Sequence, residues 1–176
     1  MTSYAIPVTA TRLAECPLCF EPLANEPILI LRQKDGRSCG HYIHERCAHR
    51  TPPQHSCCPV CGVHYSGLVK FPDISDPQAW FQAIDTDFDG RLTKQEVVTA
   101  LKATCRGLDV AAFDRDIDSL WANWDVNRDG FVTIDEIFRD QIGLLAYARQ
   151  AYSRTAGPAN PPPLSDQYAW FTFWDG

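Results

Sequence analysis

The order of eight cysteines and histidines constrains this chain more than any other feature: Cys16, Cys19, Cys39, His41, His44, Cys47, Cys58 and Cys61. Together they make two complete sets of four ligands. Zn²⁺ favours a tetrahedron of thiolate and imidazole, and a closed shell of four marks a structural ion rather than a catalytic one. The Cys-x-x-Cys runs at 16–19 and 58–61 let two sulfurs of one tight turn grip the same ion. The spacing alone permits two sequential sites or two interleaved ones. Either arrangement calls for two Zn²⁺ and leaves no coordination position for a hydrolytic water. His49, His55 and His64 remain as spare imidazoles, and Cys57 and Cys105 as spare thiols.

With histidine in the fourth and fifth ligand positions, the order resembles a RING finger of the H2 type. The resemblance implies interleaving, with Cys16, Cys19, His44 and Cys47 on one ion and Cys39, His41, Cys58 and Cys61 on the other. Cys57 competes for the seventh position, but Cys58-x-x-Cys61 followed by Gly62 makes the usual knuckle. Fingers of this family typically act as E3 ubiquitin ligases, holding a ubiquitin-charged E2 enzyme so that its thioester takes a reactive geometry, which is catalysis by positioning. No nucleophile and no acid–base pair is implied, so no catalytic residue is assigned. The family's E2-facing positions fall on Leu18 and Pro59. Two positions depart from the pattern: Gly62 stands where a basic residue often follows the last ligand, and His49-Arg50-Thr51-Pro52-Pro53 replaces the usual tryptophan region.

A second signal is independent of the first. DTDFDGRLTKQE from Asp85 and DVNRDGFVTIDE from Asp125 both fit the twelve-residue EF-hand loop without a mismatch. Ca²⁺ takes six to eight oxygens, so the loop must wrap around it. In loop 1 the ligands are Asp85, Asp87, Asp89, the Arg91 carbonyl, Thr93 through water, and Glu96. Loop 2 offers Asp125, Asn127, Asp129, the Phe131 carbonyl, Thr133 and Glu136. Gly90 and Gly130 take the sharp turn, and Leu92 and Val132 stand where paired loops meet as a short ribbon. Asp76-Pro77 and Asp109 read as helix starts, and Gly107 as a stop. Apolar residues at three-and-four spacing, from Val110 to Trp124, mark a core-facing helix. An exit helix is expected to carry Ile137, Phe138, Ile142, Leu145 and Tyr152.

The expected architecture is a small zinc-stabilised α+β RING domain followed by an all-α EF-hand pair. Residues 1–13 form an N-terminal segment, 14–65 the finger, 66–76 a linker, 77–152 the EF-hand pair and 153–176 a Pro-rich, aromatic tail. A finger this short buries little apolar core, so metal binding supplies much of its folding free energy. The net charge is −6, with the acidic excess in the calcium-binding part and no basic stripe, which argues against nucleic acid. No run is long enough to span a membrane, and the N-terminus lacks an apolar signal core. These features suit a reducing compartment, the cytoplasm or the nucleus. The tail's Trp170, Phe171, Phe173 and Trp174 are expected either to fold back into the groove between the EF-hand helices or to pack statically against the domain. The reading is a calcium-binding ligase whose partners are an E2 and a protein substrate. The alternative is a non-enzymatic calcium sensor or adaptor with a structural zinc module.

Overall fold

The computed structural model describes residues 14–34, 36–50, 56–138 and 142–153. The aromatic tail lies outside these residues. The amino-terminal part is built on a three-stranded antiparallel sheet in the order β2-β1-β3, from β1 (Ile28–Gln33), β2 (Gly36–His44) and β3 (Gly67–Lys70). Ile28 pairs with His44 and Gln33 with Gly36, with an irregularity between Ile30 and Arg32. A single turn, α1 (Glu45–Ala48), follows β2 directly.

Residues 67–70, read from sequence as part of a connection, belong to the sheet: β3 pairs Leu31 with Leu68 and Ile30 with Val69. The run is too short to declare itself as a strand, and the open edge of β1 is what orders it. The joint between the two halves is therefore the short stretch between Lys70 and Pro77.

The helical part opens with α2 (Pro77–Ile84), where the Asp76 carboxylate accepts from the Ala79 N–H at 3.0 Å and proline occupies the first turn. Then come β4 (Arg91–Thr93), α3 (Lys94–Thr104), α4 (Val110–Trp124), β5 (Phe131–Thr133), α5 (Ile134–Ile137) and α6 (Leu144–Ser153). Asp109 caps α4 through the Ala112 N–H at 3.0 Å. β4 and β5 pair antiparallel, with Leu92 opposite Val132, and both are fully buried. The exit helix expected from sequence is divided. α5 ends at Ile137, and a separate helix begins after Gly143, whose carbonyl accepts from the Tyr147 N–H at 3.1 Å. Glycine is a poor helix-interior residue, and here it precedes the first turn of α6.

One apolar core runs through both halves. Leu23, Ile28, Ile30 and Tyr42 of the amino-terminal part join Trp80, Ile84, Leu101 and Phe113 of the helices in a single cluster. The backbone seals the junction: the Ala14 N–H donates to the Lys102 carbonyl at 3.1 Å, and the Ala14 carbonyl accepts from Leu23 at 2.8 Å. Cys105, at the carboxyl end of α3, is wholly buried, and burial pushes its thiol up to about 12.

Candidate metal centres

The two Cys-x-x-Cys runs fold into equivalent knuckles. The Cys16 carbonyl accepts from the Phe20 N–H at 2.8 Å, and the Cys58 carbonyl from Gly62 at 2.9 Å. In each, the first cysteine's own N–H donates to the residue five ahead, Glu21 or Val63. The flanking bridges match as well, Glu15 with Pro22 and Cys57 with His64. The fourth residue after the first cysteine takes a left-handed conformation in both, φ 62° at Phe20 and 71° at Gly62. Glycine adopts this readily, whereas a bulky aromatic there is uncommon.

These knuckles, with the end of β2 and α1, bring together two clusters. The ligand atoms of Cys16, Cys19, His44 and Cys47 lie within 4.8 Å of one another, and so do those of Cys39, His41, Cys58 and Cys61. Each cluster alternates front and back along the chain because the β1–β2 hairpin returns His44 and Cys47 to the first knuckle. Sulfur-to-nitrogen edges of 3.3 Å (Cys19 to His44), 4.0 Å (Cys47 to His44) and 3.6 Å (Cys58 to His41) all involve Nδ1. A tetrahedron with zinc bonds of about 2.0–2.3 Å has edges of about 3.5 Å. Cys57 stays outside the second cluster, its Sγ 3.3 Å from His64 Nδ1, because it occupies the flanking position held by Glu15 in the first knuckle.

The donor set fits Zn²⁺ beyond its spacing. His44 Nε2 lies 3.2 Å from the Pro22 carbonyl. A carbonyl only accepts, so Nε2 carries the hydrogen and Nδ1 presents its lone pair to the cluster; such outer partners orient metal-bound imidazoles. Burial opposes ionisation of Cys19, yet bonds from the Glu21 backbone and His44 bring its thiol down to about 7. Burial, reinforced by neighbouring sulfurs, pushes Cys47 and Cys39 up to about 12. Crowded sulfurs resist becoming thiolates together unless a cation lies between them.

The two acidic loops share one backbone design. Residues four and six have positive φ in both: Phe88 (61°) and Gly90 (78°), Arg128 (59°) and Gly130 (92°). Asp85 receives the Phe88 and Gly90 N–H groups at 2.8 and 3.0 Å, as Asp125 receives Asp129 and Gly130 at 3.1 and 2.9 Å. Carboxylate oxygens of Asp85, Asp87 and Asp89 lie within 4.8 Å of one another. Glu96 accepts from the Thr86 N–H at 2.7 Å and the Thr93 N–H at 2.9 Å, spanning the loop; Glu136 does the same with Val126 at 3.1 Å and Thr133 at 2.9 Å. Burial would raise Glu96, but the bonds from Thr86 and Thr93 hold its carboxyl below the ordinary value. Asp85 is raised, by burial first and then by Glu96 and Asp89. Arg91 and Phe131, the carbonyl donors expected from sequence, begin β4 and β5.

One functional candidate escaped the sequence. Arg37 is buried, and its Nη1 donates to the Ala83 carbonyl at 2.6 Å and to the Tyr42 hydroxyl at 3.1 Å, while Nη2 reaches the His41 carbonyl at 3.3 Å. It thus ties a residue of the second Cys/His cluster to the last turn of α2, beside Asp85. Leu18 and Pro59 are both exposed, one on each knuckle, as are Phe20 and Val60.

The family model described as EF hand matches residues 78–101, which span α2, loop 1 and most of α3. No curated protein and no solved structure matches the chain. The molecule is thus a small mixed α/β structure with an EF-hand calcium-binding element and two Cys/His clusters able to hold metal. No helix among the described residues is long and apolar enough to cross a membrane.

Proposed function

We propose that this chain is a calcium-binding RING-type E3 ubiquitin ligase. Its amino-terminal part holds two Zn²⁺ in interleaved sites and positions an E2–ubiquitin thioester; its helical part holds two Ca²⁺. The observation that carries the reading is the interleaved convergence of eight ligand atoms on two knuckles of one design. Zinc supplies cross-links here and no chemistry on substrate. Leu18 and Pro59 form the E2 contact, exposed on the two knuckles with Phe20 and Val60 adding apolar surface. Desolvating such residues against a partner is how small interfaces obtain their affinity. Calcium at loop 1 is communicated to the zinc part through Arg37 and the shared core rather than through a tether. A reducing compartment, cytoplasmic or nuclear, follows from the need to keep six ligand thiols unoxidised.

Gly62 favours a second reading. It offers no basic side chain where ligases of this family often use one, and its φ of 71° suits glycine better than a larger residue. In that reading the chain is a calcium-responsive adaptor. Discharge of ubiquitin from a panel of charged E2 enzymes, with and without calcium, separates the two. Accelerated discharge with any E2 supports the ligase; none in either condition, with two zinc equivalents bound, supports the adaptor.

A further inference from the structure

The face of the sheet toward α2 carries an unusual charge arrangement. Arg32 of β1 lies directly opposite Arg37 of β2, so their side chains leave the same face. Like charges in that position repel, and among the described residues neither arginine has a carboxylate within ion-pair distance. Both border a cavity of about 330 Å³ between the sheet and α2. Its remaining wall is mainly apolar, with Ile30, Val69, Ala83 and Phe88, and no acidic residue lines it. Lys70 also borders it, but its amine is paired with Glu45 at 3.0 Å. Arg37 itself is over nine-tenths buried.

The donors are not exhausted. A guanidinium has five N–H groups. Three on Arg37 have the Tyr42, Ala83 and His41 acceptors, and Nε is buried with no acceptor. Arg32 is exposed, and its guanidinium has no hydrogen bond among the described residues. Two guanidinium groups against an apolar wall, with no anion supplied, form a receptor for an oxyanion borne on an apolar body. The volume is at the small end of ligand pockets, room for about one aromatic ring and its anionic group.

We propose that this cavity binds a small phosphate monoester, its phosphate between Arg32 and Arg37 and its apolar group against Ile30, Val69 and Phe88. The proposal is independent of the ligase reading, since it requires neither an E2 nor ubiquitin. Phe88 is the fourth residue of loop 1, so the ligand bears on a wall supplied by the calcium-binding element.

The test is titration of the full zinc-loaded chain with phenyl phosphate, following arginine Nε–H signals by NMR. Saturable shifts of the Arg32 and Arg37 signals are expected, with inorganic phosphate binding several-fold more weakly. Arg37 is buried and its replacement disturbs packing, so Arg32→Gln, at an exposed position, is the deciding variant; it is expected to weaken binding at least tenfold. Lys34→Gln, at an exposed residue outside the cavity lining, is expected to leave binding unchanged. Linear, unsaturated shifts would overturn the site. So would equal loss in Lys34→Gln and Arg32→Gln, which indicates general charge screening. Equal affinity for inorganic phosphate would overturn the assignment to an ester.

Discussion

Gly36 and Phe88 meet so closely that a Cβ added to the glycine would lie 1.9 Å from the Phe88 Cζ. The tip of the β1–β2 hairpin and the half-exposed ring of the fourth residue of loop 1 are thus in close contact. Gly36→Ala is expected to destabilise the chain by about 1–3 kcal/mol, as overpacking does, and to lower calcium affinity at loop 1 but not at loop 2. Phe88→Ala in the same chain removes the clash and restores the part of the loss due to it, leaving the backbone strain of a side chain at φ 156°. Denaturant unfolding and calorimetric calcium titration of the single and double variants check this; a double variant no better than Gly36→Ala would refute the fit.

Zinc removal is expected to reach beyond the zinc ligands. Structural zinc in small modules is worth about 10 kcal/mol or more of folding free energy, and the core is continuous with the helices. A zinc-selective chelator, or Cys16→Ser, should unfold the sheet and reduce calcium affinity at loop 1. Calcium titration before and after chelation reads this directly, and unchanged affinity would show that the halves are energetically separate.

Glu96→Gln is expected to weaken calcium binding at loop 1 more than tenfold while sparing loop 2, with Glu136→Gln doing the reverse. Loop 1 carries four carboxylates to three in loop 2 and should fill first. The pH dependence follows from Glu96. Its folded carboxyl lies below the ordinary value of 4.5, so its stabilisation is fully present above that value and disappears as pH falls through the folded one. Without calcium, the stability gap between wild type and Glu96→Gln, about 1 kcal/mol for a lost capping interaction, should be constant from pH 7 to 5 and narrow below 4.5. A gap that widens on acidification contradicts the sign.

Leu18→Ala and Pro59→Ala change exposed positions, so stability should move by less than about 0.5 kcal/mol. E2-dependent ubiquitin discharge should nevertheless fall at least tenfold. Thermal melts paired with discharge rates test this, and full activity in both variants would remove the proposed E2 face.

The two Cys/His clusters able to hold metal and the EF-hand element were legible because coordination chemistry demands particular residue types at particular spacings. Interleaving was different: spacing left it open, and the hairpin from Ile28 to His44 closes the circuit. Residues 67–70 were unreadable as a strand because four residues carry almost no periodicity, and the edge of β1 recruits them. Arg37 was invisible for another reason. Its acceptors at Ala83 and His41 are main-chain oxygens, which leave no trace in side-chain identity. The same holds for Gly36, whose meaning depends on an aromatic ring fifty-two positions away.

The depth of Cys105 makes this thiol an internal reporter. Iodoacetamide consumes thiolates, and a sulfhydryl buried at the carboxyl end of α3 with its ionisation pushed to about 12 offers almost none at neutral pH. In metal-loaded protein Cys57 should be carboxamidomethylated first, the six ligand cysteines only after the metal leaves, and Cys105 only when the helical half itself opens. Peptide mapping of the order of modification would show which half of the molecule comes apart first.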